Sequence, residues 1–363
     1  KKFDDPAIAP MQKIDEETWV LELFHGPTLA FKDMALQLLP HLTTLSARKN
    51  GEQREVSILV ATSGDTGKAA LEGFHDVDGI KICVFYPYGG VSQVQRAQMV
   101  TQEGNNVTVC AVEGNFDDAQ TGVKNIFAAC RAVKAGQLSS ANSINWGRLA
   151  PQIVYYVSAY CDLLTEGKIK LGDKVNYCVP TGNFGNILAG YYAMKMGLPV
   201  NKFICASNEN KVLTDFFENG SYNKNREFHV TKSPSMDILI SSNLERLLFL
   251  LGGSEMTADC MAQLSENGKY TAPASVMEKL RDVFAGFYCT EEETASVIRS
   301  SFADRKYLCD THTAVGLGAA EKYRRETGDE RPIILASTAS PYKFPADVLK
   351  SLGKDPATDE PAE

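Results

Sequence analysis

Lys32 stands at the head of a helical run, directly after the turn-forming segment His25-Gly26-Pro27-Thr28, in the stretch Glu22-Leu-Phe-His-Gly-Pro-Thr-Leu-Ala-Phe-Lys-Asp33. A lysine amine is a nucleophile only when desolvation or a nearby charge lowers its pKa, and Leu29, Ala30 and Phe31 are apolar neighbours able to desolvate it. Alone, such a lysine reads as a solvated helix-start residue, and Asp33 as a carboxylate favoured by the helix dipole. Two further loops change that reading. Ala61-Thr-Ser-Gly-Asp-Thr-Gly67 follows the apolar run 56–60 and opens a helical pattern over 68–74. Val179-Pro-Thr-Gly-Asn-Phe-Gly-Asn186 follows the apolar run 175–179 and precedes a helical pattern over 187–196. A strand that enters a Ser/Gly/Thr turn and then a helix offers N–H groups and hydroxyls at a positive helix terminus, which suits a carboxylate or a phosphate.

Neither loop fits the commoner nucleotide motifs. The phosphate-binding pattern G-x-x-x-x-G-K-[ST] needs glycine where Thr62 stands and Ser or Thr where Ala69 stands. The dinucleotide pattern G-x-G-x-x-G needs glycine at Phe184 and Ile187. Either loop alone is compatible with an ordinary βα turn, since such turns are rich in Gly, Ser, Thr and Asn. Two anion cradles and one lysine together are what pyridoxal phosphate and an amino-acid substrate require.

The chain resembles the threonine synthases, pyridoxal-phosphate lyases of the tryptophan-synthase-type fold (fold type II). The resemblance is carried by residues 22–33 and 61–67, Asn142-Ser-Ile-Asn-Trp-Gly-Arg148, residues 180–186, Ser233-Pro-Ser-Met-Asp237, Asp310-Thr-His-Thr-Ala314 and Ser337-Thr-Ala-Ser-Pro341, in family order across nearly the whole chain. It implies conversion of O-phospho-L-homoserine and water to L-threonine and phosphate by β/γ elimination and replacement. Lys32 would link to the cofactor and serve as base at the substrate's α and β carbons. Gly182, Asn183, Phe184, Gly185 and Asn186 would hold the cofactor phosphate, Thr338 its pyridine nitrogen, and Asp65 would lie in the loop against the ring. Thr28, Ser63, Gly64, Thr66 and Gly67 fall in the substrate site, the 63–67 loop taking the carboxylate. Asn142, Ser143, Asn145 and Arg148 would take the substrate phosphate, arginine through paired N–H bonds.

Three points stay open at this level. Asp65 replaces the asparagine that many relatives use to donate to the cofactor's phenolic oxygen. An ionised carboxylate cannot donate, so Asp65 either faces away from that oxygen or is protonated. Thr338 also reads as a helix N-cap before residues 342–350, with Ser337 and Ser340 able to exchange roles with it. About thirty residues precede the lysine segment, fewer than in family members of this type, whose additional N-terminal region is expected to be truncated or disordered here. Other activities remain: a phospho-lyase that releases a keto acid, a dehydratase of the same fold, and a non-enzymatic phosphate-binding module. The phosphate set around Arg148 argues against the dehydratase.

Composition bounds the partners. With 363 residues, 44% hydrophobic and 23% charged, the chain can bury a large core in about two domains. A net charge of −8 argues against nucleic acid or an anionic membrane as partner. No apolar run approaches the roughly 20 residues of a membrane span, and residues 1–20 lack the sections of a signal peptide. The nine cysteines are scattered without a C-x-x-C pair and read as buried free thiols in a reducing cytoplasm. His25, His41, His75, His229 and His312 show no metal spacing, so no catalytic metal is expected.

Strand patterns fall at 56–61, 80–86, 107–112, 175–179, 203–207 and 333–336, and helical patterns at 67–74, 92–102, 117–133, 147–165, 186–196, 211–218 and 314–326. This alternation predicts an α/β protein of parallel sheets covered by helices, with ligands at the carboxyl ends of strands. The resemblance implies a larger domain of residues 1–40 and 144–363, a smaller inserted domain of residues 41–143, and the cofactor between them. The Pro- and acid-rich tail from 353 is expected to be poorly ordered.

Overall fold

A computed structural model describes residues 2–114, 116–133 and 137–356. The strands are β1 (Met11–Lys13), β2 (Thr18–Glu22), β3 (Val56–Ala61), β4 (Ile80–Pro87), β5 (Val107–Val112), β6 (Gln137–Ser139), β7 (Val175–Pro180), β8 (Val200–Ser207), β9 (Ser221–Asn223), β10 (Lys269–Thr271), β11 (Phe284–Tyr288) and β12 (Ile333–Ser337). They divide between two compact units.

The first unit comprises residues 24–151 with the residues before Ala9. Its four strands lie in the order β5-β4-β3-β6, all parallel. Alternation along β3 sends Ile58 and Val60 to one face, where they pack with Ile82, Val84 and with Ala69, Ala70, Leu71 and Phe74 of the helix Asp65–Phe74. Leu59 and Ala61 point the other way, onto Ala119 and Val123 of the helix Phe116–Val133. Both faces are therefore covered, the condition under which parallel strands form near-continuous apolar runs.

The second unit comprises Ala9–Leu23 and Gln152–Pro356. Its sheet has the order β1-β2-β12-β7-β8-β11. All pairs are parallel except the edge pair β1–β2, a difference from the all-parallel expectation. One face buries Cys178, Ile204, Ala206 and Leu335 against Ala314, Val315, Leu317 and Ala319 of the helix Thr311–Thr327. The opposite face carries an aromatic layer. Tyr156 meets Tyr177 edge-on at 5.0 Å, and Phe203 lies 5.5 Å from Phe284, which stacks on Phe217 at 5.5 Å. Strands β9 and β10 pair antiparallel, apart from the main sheet.

The single helix expected over 147–165 is broken in two. Pro151 lacks the N–H that an uninterrupted helix needs, and Trp146–Leu149 is joined to Ile153–Thr165 through a 3-10 turn at Ala150–Gln152. Of the tail expectation, residues 357–363 lie outside the described residues.

Candidate active site

The turn carrying Lys32 is built around a buried carboxylate. Asp33 is fully buried, and its oxygens accept the Thr28 N–H and the Thr28 hydroxyl, each at 2.8 Å. Hydrogen bonds of this kind are what make a buried carboxylate tolerable. They close residues 26–33 into a compact loop, with Leu29 at φ 58, and start the helix Asp33–Leu36 with Lys32 at its N-cap. Thr28 is thereby engaged with Asp33.

The Lys32 side chain is 11% exposed, with Nζ 3.5 Å from Asp65 Oδ2. It also lies 5.0 Å from the centroid of the Phe31 ring, within cation–π range. Asp65 opens the helix Asp65–Phe74, and its Oδ1 accepts from Gln95 Nε2 at 3.0 Å. Gln95 is itself fixed by a capping box: its Oε1 accepts the Ser92 N–H at 3.1 Å, while its own N–H reaches Ser92 Oγ at 3.1 Å. Both oxygens of Asp65 accept, a role that an asparagine amide could fill only in part.

Thr62 shapes the loop between β3 and that helix. Its hydroxyl accepts the N–H groups of Gly64 and Gly67, both at 2.9 Å. Ser63 and Thr66 keep their N–H groups and hydroxyls uncommitted among the described residues. The four substrate-loop residues thus divide into Gly64 and Gly67, spent on the loop's shape, and Ser63 and Thr66, available to a carboxylate.

The 142–148 segment divides in the same way. Asn142 ties the loop to the end of β3 by donating Nδ2 to Ala61 O at 2.9 Å, and it accepts the Ser140 hydroxyl at 3.0 Å. Asn145 caps the helix Trp146–Leu149 by accepting the Gly147 N–H at 2.9 Å, and donates Nδ2 to Ser140 O at 2.8 Å. Arg148 is buried, with Nη1 donating to Ala141 O at 2.6 Å. Asn142 and Asn145 are occupied in holding the loop in which Ser143 and Arg148 sit.

The second cradle lies in the other unit. β7 ends at Pro180, and the chain turns into the helix Gly185–Lys195 with Phe184 as N-cap in the left-handed conformation, φ 62. Strain of this kind costs about 1–3 kcal/mol and persists only where surroundings impose it. Here the Phe184 ring is buried against Phe284 at 5.8 Å and Phe217 at 6.1 Å. The loop carbonyls are turned away: Gly182 O accepts from Ser241 Oγ at 2.8 Å, and Asn183 O from Asn243 N and Nδ2 at 3.2 and 2.8 Å. The N–H groups of Gly182, Asn183, Phe184, Gly185, Asn186 and Ile187 make no hydrogen bond to any described residue. Gly182 is partly buried and Asn183 exposed, while Phe184 to Ile187 are buried; buried N–H groups without partners are rare, and a run of them at a helix start suits an anion.

At the end of β12, the three hydroxyl residues take separate parts. Ser337 Oγ pairs with Thr313 Oγ1 at 2.8 Å, and Ser340 caps the turn Pro341–Lys343 by accepting the Tyr342 N–H at 3.3 Å. Thr338 is 7% exposed, and its hydroxyl bonds no described residue. The cap before the next helix is thus Ser340, and the uncommitted hydroxyl is Thr338.

Sequence reasoning passed over several residues that hold this site. Gln95 was legible as the fourth residue of Ser92-Gln-Val-Gln95, a capping-box pattern. Ser241 and Asn243 carry no local signature, whereas the buried pair Asp310–His312 lies in the 310–314 segment, where no role was assigned to it, and Asp310 is legible as a helix N-cap. His312 Nδ1 lies 2.7 Å from Asp310 Oδ2, and its Nε2 accepts the Ser235 N–H at 3.2 Å. That orders the turn Pro234–Met236 against Gly182, where a Cβ on the glycine would come within 2.6 Å of Ser235 O.

A helix-start lysine beside an acceptor carboxylate in one unit, and unspent N–H groups at a helix start in the other, are groups that a carbonyl- and phosphate-binding α/β protein requires. The sequence pattern of the pyridoxal-phosphate dependent enzyme family matches residues 6–338, and the chain belongs to that family, with its tryptophan-synthase-like fold (fold type II). It is similar to the threonine synthase of Pseudomonas aeruginosa, at 43% identity over 358 residues covering 98% of this chain and 74% of that protein. It is equally similar to the threonine synthase-like 1 protein of Homo sapiens, 43% identical over 366 residues covering 97% of this chain and 48% of that protein. The crystal structure of pyridoxal-phosphate-bound threonine synthase from Brucella melitensis matches it with a TM-score of 0.89 at 41% identity, covering 98% of this chain and 75% of that one. The chain spans about half the length of the threonine synthase-like relatives it matches.

The residues present fit the cofactor. Its phosphate needs several donors that nothing else claims, a requirement that the 182–187 N–H groups of the second unit would meet, and its carbonyl needs a sheltered primary amine, a requirement that Lys32 of the first unit would meet.

Proposed function

We propose that the chain acts as a threonine synthase, converting O-phospho-L-homoserine and water to L-threonine and phosphate. The observation that carries this reading is the buried Arg148 guanidinium, in the unit that also holds Lys32 and the 62–67 loop. A lyase for an unphosphorylated amino acid has no need of such a cation. Pyridoxal phosphate, when bound, supplies the electron sink for a carbanion at the substrate's Cα.

The chain's own residues then have distinct tasks. Lys32 holds the cofactor's carbonyl through Nζ, and as a free amine takes the proton from Cα and then from Cβ. Asp65, 3.5 Å from Nζ and held by Gln95, orients that amine. Ser63 and Thr66 bind the substrate carboxylate with their uncommitted donors. Ser143 and Arg148 grip the substrate phosphate and hold it as it departs, with Asn142 and Asn145 keeping their loop in shape. The N–H groups of Gly182, Asn183, Phe184, Gly185 and Asn186 receive the cofactor phosphate. Thr338 offers its hydroxyl to the pyridine nitrogen; a hydroxyl, unlike a carboxylate, does not hold that nitrogen protonated, which suits a β/γ lyase better than a transaminase. We place the activity in the cytoplasm on the strength of nine unpaired thiols. No helix among the described residues is long and apolar enough to cross a membrane.

The purified chain, loaded with pyridoxal phosphate and given O-phospho-L-homoserine, is expected to release L-threonine and phosphate in equal amounts. A phospho-lyase of the same fold is the competing reading, since it would use the same phosphate residues. That enzyme would release phosphate with ammonia and 2-oxobutanoate, and finding those products would replace the reading. Absence of visible cofactor absorbance, with no borohydride trapping at Lys32, would reduce the chain to a phosphate-binding module.

A further inference from the structure

Asn186 presents an unusual pair of facts. Its side chain is 7% exposed, and its Nδ2 has no hydrogen-bond partner among the described residues, although Oδ1 is doubly bonded. The hydroxyls of Tyr155 and Tyr156, adjacent residues on the helix Ile153–Thr165, each lie 2.6 Å from Oδ1, and each has a longer second contact at 3.0 Å, Tyr155 to Gln152 Oε1 and Tyr156 to the Asn186 carbonyl oxygen. A hydroxyl has one proton, and the shorter contact of each tyrosine takes it, which sets the amide oxygen toward the tyrosines and Nδ2 away from them. Burial first, then the neighbouring Tyr155 and Tyr177, push the Tyr156 hydroxyl well above the usual range.

The two tyrosines are placed by the aromatic layer on this face of the sheet. Their rings lie 5.0 Å apart, and Tyr156 rests on Gly190, one turn beyond Asn186, where a Cβ would come within 2.8 Å of the Tyr156 ring and 2.6 Å of Phe203. The Tyr156 carbonyl in turn accepts the Tyr177 hydroxyl at 2.7 Å. A buried amide N–H left without a partner costs about 1–3 kcal/mol, a cost that an acceptor bound beside it would remove.

We infer that Tyr155 and Tyr156 are positioning residues that lock the Asn186 amide so that Nδ2 donates to a phosphate monoester, alongside the unspent N–H groups at the head of the helix Gly185–Lys195. This deepens the proposed function and rests on it for the identity of the ligand, since both the cofactor and the substrate carry such a group. Without the two hydroxyls, the carboxamide is free to rotate, and its donor is no longer committed.

A double-mutant cycle on the full chain tests the coupling. Asn186→Ala, the pair Tyr155→Phe with Tyr156→Phe, and the triple variant are titrated by calorimetry with pyridoxal phosphate on the cofactor-free protein and with inorganic phosphate on the loaded protein. Asn186→Ala should weaken one of the two by about ten- to a hundredfold, as for a donor lost to a charged acceptor. The tyrosine pair should weaken the same ligand, and in the Asn186→Ala background should add almost nothing. A loss in the first arm assigns the amide to the cofactor phosphate, and a loss in the second assigns it to the substrate phosphate. Losses that multiply in the triple variant, or an unchanged affinity for both ligands, would overturn the inference. Should the paired substitution fail to fold, Tyr155→Phe alone, run through the same cycle, decides it. Neither titration depends on the product formed, so a chain that makes no threonine but shows the coupling loses only the proposed activity.

Discussion

Gly182→Ala is the most direct test of the phosphate cradle. The new Cβ would sit 2.6 Å from Ser235 O and 3.3 Å from Met236 Cα, both backbone atoms, about 0.8 Å inside ordinary contact for the first. The turn it strikes cannot give way cheaply. Ser235 N–H is bound to His312, and Asp237 accepts from Asn208, Asn210 and Thr231 at 2.8, 3.0 and 2.7 Å. The strain must therefore fall on the 182–186 loop. Overpacking of this size costs about 1–3 kcal/mol, and a shift approaching an ångström takes at least one N–H out of reach of the phosphate. A hydrogen bond to a charged group contributes about 1.5–3 kcal/mol, so the dissociation constant for pyridoxal phosphate should rise about ten- to a hundredfold. Titrating the cofactor-free variant and following its absorbance reads this directly. The control is Gly122→Ala on the exposed face of the helix Phe116–Val133, where nothing lies within 4 Å; it should leave cofactor affinity unchanged and stabilise by about 0.5–1 kcal/mol. Wild-type affinity in Gly182→Ala, with an unchanged melting temperature, would refute the claim that this loop is a rigid phosphate site.

Other outcomes follow from single side chains. Arg148→Leu should lower kcat/KM for O-phospho-L-homoserine by about ten- to a hundredfold while cofactor loading, read at the visible band, stays intact; loss of loading with substrate affinity spared would mean that the two anion sites have been exchanged. Burial alone would raise Asp215, but hydrogen bonds from Lys211 at 2.6 Å and Arg226 at 2.7 Å together hold it below the usual value. Its folded pKa being depressed, the stability it adds is present above about pH 4 and is lost as pH falls further, so Asp215→Asn should be less stable at pH 7 by about 1 kcal/mol and the gap should close in acid melts. Cys161 is exposed, whereas burial pushes Cys205, Cys289 and Cys309 up to about 12; a thiol reagent at pH 8 should label Cys161 fast and leave these three for the unfolded chain.

Much of this architecture is written in local pattern. The strands at 56–61, 107–112 and 175–179 show as apolar, β-branched runs, and the turns after them show as Gly, Ser, Thr and Asn clusters, because both signals are short-range. β2 was missed because Thr18-Trp-Val-Leu-Glu22 begins and ends on residues that read as polar, and β11 because Phe284-Ala-Gly-Phe-Tyr288 contains a glycine. Both are made strands by their neighbours β12 and β8. The helix Leu244–Asn267 was hidden by Gly252 and Gly253, the second at φ 82, where two helices meet at a kink. At the site, residue types were legible but their employment was not. Nothing in Asn142 or Asn145 says that their amides are spent on Ala61 and Ser140, and nothing in Thr62 announces that it holds two loop N–H groups. Those facts depend on which groups meet after folding, and a pattern of types carries no such information.

The aromatic layer has a temporal consequence. Phe184 owes its left-handed backbone to packing against Phe284, a residue about a hundred positions further along the chain. At synthesis rates of about 5–20 residues per second, the loop leaves the ribosome some 5–20 s before its support exists. During that interval Phe184 lacks the Phe284 ring that packs against it in the finished fold, and its left-handed conformation has that much less support. On the proposed reading, firm hold of the cofactor phosphate is thereby tied to completion of β11.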